Sequence, residues 1–520
     1  MEPQTTSPRG QIVAFIDIGT NSIRLLLVET HPDLSYRVIT QQKETVRLGE
    51  GEFTHQRLQP EAIRRAVLVC QKFAGLARAY QADEIVTVAT AATRDALNQD
   101  EFVEQLRREA DLDVKVISGR EEARLIYCGV AGGVNIGERN ACFIDIGGGS
   151  TEISVGNQQQ YFYLDSLKLG AIRLSALFLA GRKGSVTPAA YTALQRYVRD
   201  AAIRTAPKVR QFPITYAFGS SGTIENLGEI AARYFYKRRL QKDDVLAYDQ
   251  LKEVVKMLCA LPLEERRNIP GINPERADII VGGAAILDTL MLEFGLPEIQ
   301  ISDRGLRDGM LLDYLSRTCQ APPFREISIR ERSIRQLGRA CRFDETHANQ
   351  VAGLALQLYD SAVRVGLLAP SEWQREMLYY AALLHDIGTF LTYNNHHAHT
   401  YYLIRNADLL GFNQAEIAIV ATIAFYHRKT APRRKHSEFA LLDKISQKIV
   451  AALSILLRLA ESLDRSHSGI IHQIRFRAQD KDVVLEIAAQ QDCQLELWGL
   501  KNHDRSFSEV FDKNLTFECL

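Results

Sequence analysis

Neither sign of charge is in excess in this chain of 520 residues: Lys plus Arg and Asp plus Glu each total 63. That balance excludes a surface that is basic or acidic throughout, so any patch for a polyanion must be local. Paired cysteines are missing as well. The eight Cys are scattered and no CxxC occurs, which argues against a zinc ribbon and for a reducing compartment. No window approaches the roughly 18 uncharged apolar residues of a membrane span, and the opening MEPQTTSPRGQIVAF has no apolar leader core. The expectation is a cytoplasmic protein. Low-complexity tracts are absent and 46% of the residues are hydrophobic, so a chain of this length should form three or four globular domains.

What is present is a duplication. FIDIGTNSIRLLLVE at 15–29 returns as FIDIGGGSTEISVG at 143–156. Each copy reads as an apolar strand carrying one acid, a Gly and Ser turn, and a second strand. The acids are Asp17 and Asp145, the glycines Gly19 and Gly147, the serines Ser22 and Ser150. A tight glycine turn exposes consecutive backbone N–H groups, and without Cβ atoms an anion can approach closely. Two such turns can grip two sides of one phosphate chain.

Around them the sequence has α/β grammar. A first α/β unit is expected over 12–127. A second, over 128–315, contains a long helix near 188–210 and strands at ITYAFGSS and ADIIVGG. An all-α domain follows over 325–467, and a small α+β appendage over 470–520 alternates in IHQIRFRAQ, DVVLEIAAQ, CQLELWGL and NLTFECL. The two turns fall in different α/β units, which places the natural site in the cleft between them.

The paired turns resemble the phosphate-binding loops of the actin-like ATPase and sugar kinase superfamily. More closely, DIGTNSIR and DIGGGSTE, with ATAATRDALN, ISGREEARL, FGSSGTIENL and SDRGLRDGML in that order, resemble the exopolyphosphatase and guanosine pentaphosphate phosphohydrolase family. The resemblance implies two actin-like (ribonuclease H-like) α/β domains around a cleft.

It also implies roles. Ser118 followed by Glu121 is a capping-box pattern that occupies Glu121, while Glu122, about 100° further round the helix, is free to point elsewhere. The match places the family's catalytic carboxylate on Glu122, as general base for the attacking water. Asp145 and Asp17 end strands beside a bound polyphosphate, where a cation must lie between. Mg²⁺ is expected, with Mn²⁺ suited to the same ligands: Asp145 principally, Asp17, and Glu152 directly or through water. Phosphate capture falls to Gly19, Thr20, Asn21 and Ser22, to Gly147, Gly148, Gly149, Ser150 and Thr151, to Arg94 with its bidentate fork, and to Gly219, Ser220, Ser221, Gly222 and Thr223 at a predicted helix start.

Ten of the twelve His lie beyond residue 340. His347 and Asp464 fall on apolar helix faces, and between them come His385-Asp386, His397, His399 and His427. This order resembles the HD metal-dependent phosphohydrolase domain, which implies a metal on His347, His385, Asp386 and Asp464. In the same region Arg332, Arg335, Arg339 and Arg342 recur at helical spacing and suggest a cationic stripe guiding a long phosphate chain.

The expected activity is therefore Mg²⁺-dependent removal of the terminal phosphate of inorganic polyphosphate. Hydrolysis of guanosine pentaphosphate is the close alternative. An actin-like kinase or ATPase is a rival, because VGGAAIL at 281–287 resembles an adenosine loop. An actin-like filament is a third reading. A homodimer with no nucleic-acid partner is expected.

Overall fold

The computed structural model describes residues 10–31, 35–182, 184–318, 328–407, 409, 411–428, 430–479, 482–489 and 491–519. Two compact units divide the chain at residues 326 and 327.

The first unit contains the duplication as two sheets of like topology. Strands β1 (Gln11–Ile18), β2 (Ser22–Thr30), β3 (Tyr36–Thr45), β4 (Glu84–Ala89) and β5 (Val114–Val116) form one sheet in the order β3-β2-β1-β4-β5. The other is built from β6 (Ala141–Ile146), β7 (Thr151–Gly156), β8 (Tyr161–Leu167), β9 (Tyr216–Ser220), β10 (Val245–Ala247) and β11 (Glu298–Ile301), in the order β10-β11-β9-β6-β7-β8. In each, the duplicated strand pairs antiparallel with its successor and parallel with the next βα strand. Helices cover both faces, which is why β1 and β6 are apolar along almost their whole length. These are the two actin-like halves that the repeated motif implies.

Three expectations at the level of elements are corrected. ADIIVGG is no strand: it leads into the helix Ile280–Phe294, whose Gly282 and Gly283 pack on Ser175 and Thr223. That helix is buried on nearly every face, so its apolar run carries no 3.6-residue signature. The helix near 188–210 is two pieces, Pro188–Ala202 and Ala206–Val209. CQLELWGL contributes the helix Gln494–Leu500, which buries Glu496 and Leu500 and leaves Trp498 exposed.

Helix Gly119–Ala131 and helix Leu306–Thr318 set the position of Glu122. The first begins at Ser118, whose side chain accepts from the Glu121 amide. The reciprocal half of the capping box does not form, because the Glu121 carboxylate takes a two-pronged pair from Arg124 at 2.8 Å, and Arg124 also reaches Asp313. The two helices cross almost in backbone contact: a Cβ on Gly309 would fall on the Leu125 carbonyl, and one on Gly129 on the Gly305 carbonyl. Gly309→Ala should therefore force the helices apart and cost about 1–3 kcal/mol, the usual penalty of overpacking. A urea midpoint equal to wild type would contradict that contact.

The second unit is helical from Ile329 to Ser462. It ends in a three-stranded sheet, β12 (Ile471–Gln479), β13 (Asp482–Ala489) and β14 (Asn514–Cys519), in the order β12-β13-β14. Ile471, Phe476, Leu485, Ile487 and Phe507 share one hydrophobic core with Val351, Leu358, Leu453 and Leu457. The predicted appendage at 470–520 is thus built onto the helical core and has none of its own.

Candidate active site

Both duplicated turns are closed by the same hydrogen bond. The Gly19 amide donates to the Ser22 carbonyl at 3.1 Å, and the Gly147 amide to the Ser150 carbonyl at 3.0 Å. Their carbonyls are taken up by neighbouring backbone: Thr20 accepts from Gly49, Asn21 from Val46 and Arg47, Gly147 from Ala171, and Gly148 from Ile172 and Arg173. With those acceptors occupied, N–H groups are what the turns offer, and that selects an anion. The turns also touch. A Cβ on Gly148 would lie 3.0 Å from the Thr20 side chain, and one on Gly149 would lie 2.9 Å from its hydroxyl, so the close approach requires glycine at both positions.

The cleft they form is lined by Asp17, Glu122 and Asp145, by Thr20 to Ser22, by Gly147 to Ser150, and by Ser221 and Thr223. Ser221 has φ 76°, a left-handed conformation costly for a residue with a Cβ, at the start of helix Ser221–Tyr236. Glu122 is buried and accepts from Arg94 at 2.9 Å, while Arg94 also donates to the Ile117 carbonyl. Burial pushes the Glu122 carboxyl up to about 7; Arg94 opposes the shift, and Asp17 and Asp145 add to it. Burial likewise raises Asp145 to about 6, against the Ser220 hydroxyl that donates to it at 2.6 Å. Asp17 is raised for the same reason, and its Oδ1 is buried without a hydrogen-bond partner.

Several expected ligands lie beneath the cleft instead of on it. Glu152 pairs across the sheet with Asp145 and accepts from Ser166 at 2.8 Å. Burial together with Glu122 and Asp145 drives its carboxyl well above the usual range. It does not line the cleft, which corrects its assignment as a direct metal ligand and leaves only a contact through water. Thr151 is spent on the Leu169 carbonyl, Ser220 on Asp145, Gly219 packs against Ile224 and Ile299, and Gly222 lies under the Arg276 guanidinium. Arg94 holds Glu122 and does not line the cleft.

Sequence reasoning missed the cations. Arg24, Arg276, Arg304 and Arg307 line the cleft, with Glu225, Asp303 and Asp308 beside them. Burial, with Arg24 next in effect, lowers both Arg276 and Arg307. Lys43 keeps contact with solvent, yet desolvation and then repulsion from Arg24 and Arg276 bring its ammonium down to about 8. Like charges held this close are costly until an anion joins them. Arg24 and Arg307 lie inside the segments DIGTNSIR and SDRGLRDGML, but neither is singled out there, and Arg276 lies in no such segment.

In the second unit His347, His385, Asp386 and Asp464 are brought together as expected, but Asp464 accepts from His347 Nδ1 at 2.7 Å and from the Gly469 amide at 2.9 Å. Both of its oxygens are committed, so it orients His347. His427 joins the cluster. From the HHAH run it is His396 that does so, and not His397 or His399; His396, Thr400 and Ile404, at intervals of four, are the buried face of that helix. Of the four arginines expected to form a stripe, one leaves the helix. The helix ends at Ala340, before Arg342. Arg335 pairs with Glu331 and Glu345, and Arg339 pairs with Glu345. The Arg332 side chain lies outside the described residues.

Two actin-like halves presenting amide-rich turns, buried acids and arginines to one narrow cleft define a site for phosphoryl chemistry. The chain belongs to the Ppx/GppA phosphatase family, whose profile matches residues 27–318, while that of its domain III matches residues 329–504. Among solved structures it is similar to an exopolyphosphatase from Cytophaga hutchinsonii, at 26% identity over 59% of this chain and 98% of that one, with a TM-score of 0.55. An exopolyphosphatase-like protein matches at 26% identity, 59% and 99% coverage and a TM-score of 0.53. A Ppx/GppA family member from Aquifex aeolicus matches at 26% identity, 60% and 99% coverage and a TM-score of 0.50. No described helix is long and apolar enough to cross a membrane.

Proposed function

We propose that the chain is an exopolyphosphatase that removes the terminal phosphate of inorganic polyphosphate with the help of Mg²⁺. The observation that carries this reading is the meeting of two N–H-donating turns with Arg24, Arg276 and Arg307 around three buried carboxylates. A phosphate chain supplies the anion that the turns and arginines lack. A divalent cation answers the carboxylates, and the unpartnered Asp17 Oδ1 beside Asp145 fits a hard, oxygen-seeking ion. Asp145 and Asp17 would hold it, where it would neutralise charge on phosphoryl oxygens. Glu122 accepts the proton of a water as that water's oxygen bonds to the terminal phosphorus. The bridging P–O bond breaks and its electrons stay with the shortened chain, whose new terminal oxygen faces the arginines.

Polyphosphate is favoured over guanosine pentaphosphate by the shape of the cleft. It encloses about 90 Å³ and, among the described residues, no aromatic ring lines it, whereas pockets for drug-sized ligands run to about 300–1,000 Å³ with aromatic walls. The VGGAAIL segment packs inside a buried helix, which weighs against an adenosine loop. Phosphate release from long polyphosphate, guanosine pentaphosphate and ATP, measured side by side as kcat/KM, tests the assignment; faster turnover of the pentaphosphate would reverse it.

Arg94 provides a second check. It holds the Glu122 carboxyl down, so Arg94→Ala should raise that pKa above about 7 and keep the base protonated to higher pH. The acid limb of the kcat/KM profile then moves to the alkaline side. A limb that stays in place would detach Arg94 from the base.

A further inference from the structure

One carbonyl of the second turn is held differently from its neighbours. The helix Ala171–Phe178 begins against that turn: the Ala171 amide donates to the Gly147 carbonyl, and those of Ile172 and Arg173 donate to Gly148. The Gly149 carbonyl is taken by a side chain, accepting from Arg173 Nε at 2.8 Å. A trans peptide points its N–H opposite to the preceding C=O, so a fixed Gly149 carbonyl fixes the direction of the Ser150 amide at the wall of the cleft.

Arg173 is itself fixed from the other half. Its Nη2 donates to Asp95 Oδ2 at 2.5 Å, with both side chains largely buried, and its guanidinium carbon lies 4.2 Å from the centre of the Phe53 ring. Phe53 touches the same turn, since a Cβ on Gly149 would stand 2.9 Å from its ring. Glu52 is close by, its Oε2 buried without a hydrogen-bond partner. Burial pushes that carboxyl up to about 7, against the pull of Arg173, and Asp95 is the acid that binds the guanidinium. Asp95 closes the short helix Ala91–Asp95, in which Arg94 holds Glu122. Adjacent residues of one helix thus carry the base and, through Arg173, the turn that faces it.

We propose that the Asp95–Arg173 pair is a positioning device for the hydrolysis: it sets the amides of the second turn against Glu122, so that the terminal phosphorus and the attacking water meet in line. The proposal rests on the phosphatase reading above and goes beyond it by giving a role to two residues that do not line the cleft. A plain ion pair between the halves would matter to stability alone. A positioning pair acts on the chemical step, where a misplacement of about 1 Å can cost roughly 10²-fold.

The test uses the full-length chain and measures kcat and KM on whichever of polyphosphate, guanosine pentaphosphate and ATP the wild type hydrolyses fastest. The wild-type rates then judge the substrate, and the ratio of variant to wild type judges this proposal. Arg173→Lys keeps a charge beside Asp95, but a single ammonium cannot reproduce the planar fork that joins Asp95 to the Gly149 carbonyl. It should lower kcat by about 10–10²-fold, with KM little changed and a urea midpoint near that of wild type. In Arg173→Ala, millimolar guanidinium ion should restore part of the lost kcat, and ammonium at the same concentration should not. Asp95→Asn should lose as much as Arg173→Ala, and the double variant no more than either, because the pair acts as a unit. The acid limb of the pH profile should stay in place in each variant, since neither residue is among the main charges acting on Glu122. A wild-type kcat in Arg173→Lys, additive losses in the double variant, or a deficit in Arg173→Ala indifferent to guanidinium would reduce the pair to a structural tie and overturn the proposal. A displaced acid limb would overturn it too, by showing that the pair acts through the field on Glu122 and not through the turn.

Discussion

Replacing Glu122 by Gln is expected to cut phosphate release by about 10²–10⁴-fold, the range of general-base contributions, while polyphosphate still binds. The amide keeps the shape and can still accept from Arg94, but it cannot take a proton from water. The neighbouring substitution Glu121→Gln gives the contrast. Glu121 is committed to Arg124 at the helix surface, where such a pair is worth roughly 1 kcal/mol or less, so turnover should change little. Parallel assays of the two variants, with binding measured separately, decide the matter: equal loss of turnover in both would remove the base from Glu122.

Asp145→Asn should be nearly as damaging by a different route. Loss of a metal-directed charge that is worth several kcal/mol to transferring phosphoryl oxygens corresponds to roughly 10²-fold or more in rate, and the Mg²⁺ activation curve should move to higher concentration. A second sign follows from the electrostatics. Asp145 is one of the charges that raise Glu122, so removing it lowers the pKa of the base and moves the acid limb to lower pH, opposite to Arg94→Ala. An unchanged Mg²⁺ curve would take Asp145 out of the ligand set. A limb displaced the same way in both variants would show that the three groups do not share one field.

The centre of this site was legible because it is repeated. Asp17 and Asp145 stand at the same place in two copies of one segment, and the structure gives both turns the same closing hydrogen bond. The cations were only half legible: Arg24 and Arg307 sit inside the motifs DIGTNSIR and SDRGLRDGML, whereas Lys43 and Arg276 sit in none, and no local pattern shows that the four converge. Glu152 misled because alternation along a strand gives its face but not the depth of that face below solvent. Among the histidines, motif spacing favoured Asp464, whereas Glu461, one helical turn earlier, is the carboxylate that meets two Nε2 atoms. Which of two acids a turn apart reaches inward depends on the packing of helix Lys444–Ser462, and periodicity does not resolve that.

The helix Leu306–Thr318 has a consequence for the order in which the chain can assemble on a ribosome. Its Met310, Leu311 and Leu315 cover Val13, Phe15, Leu26 and Val28 on one face of the first sheet, although nearly the whole second half is translated in between. At about 5–20 residues per second, that apolar face waits roughly a quarter of a minute to a minute for its cover. The first half, in spite of leaving the ribosome first, is among the last parts of its unit to be completed, and nascent chains halted before residue 306 should be the species that chaperones hold.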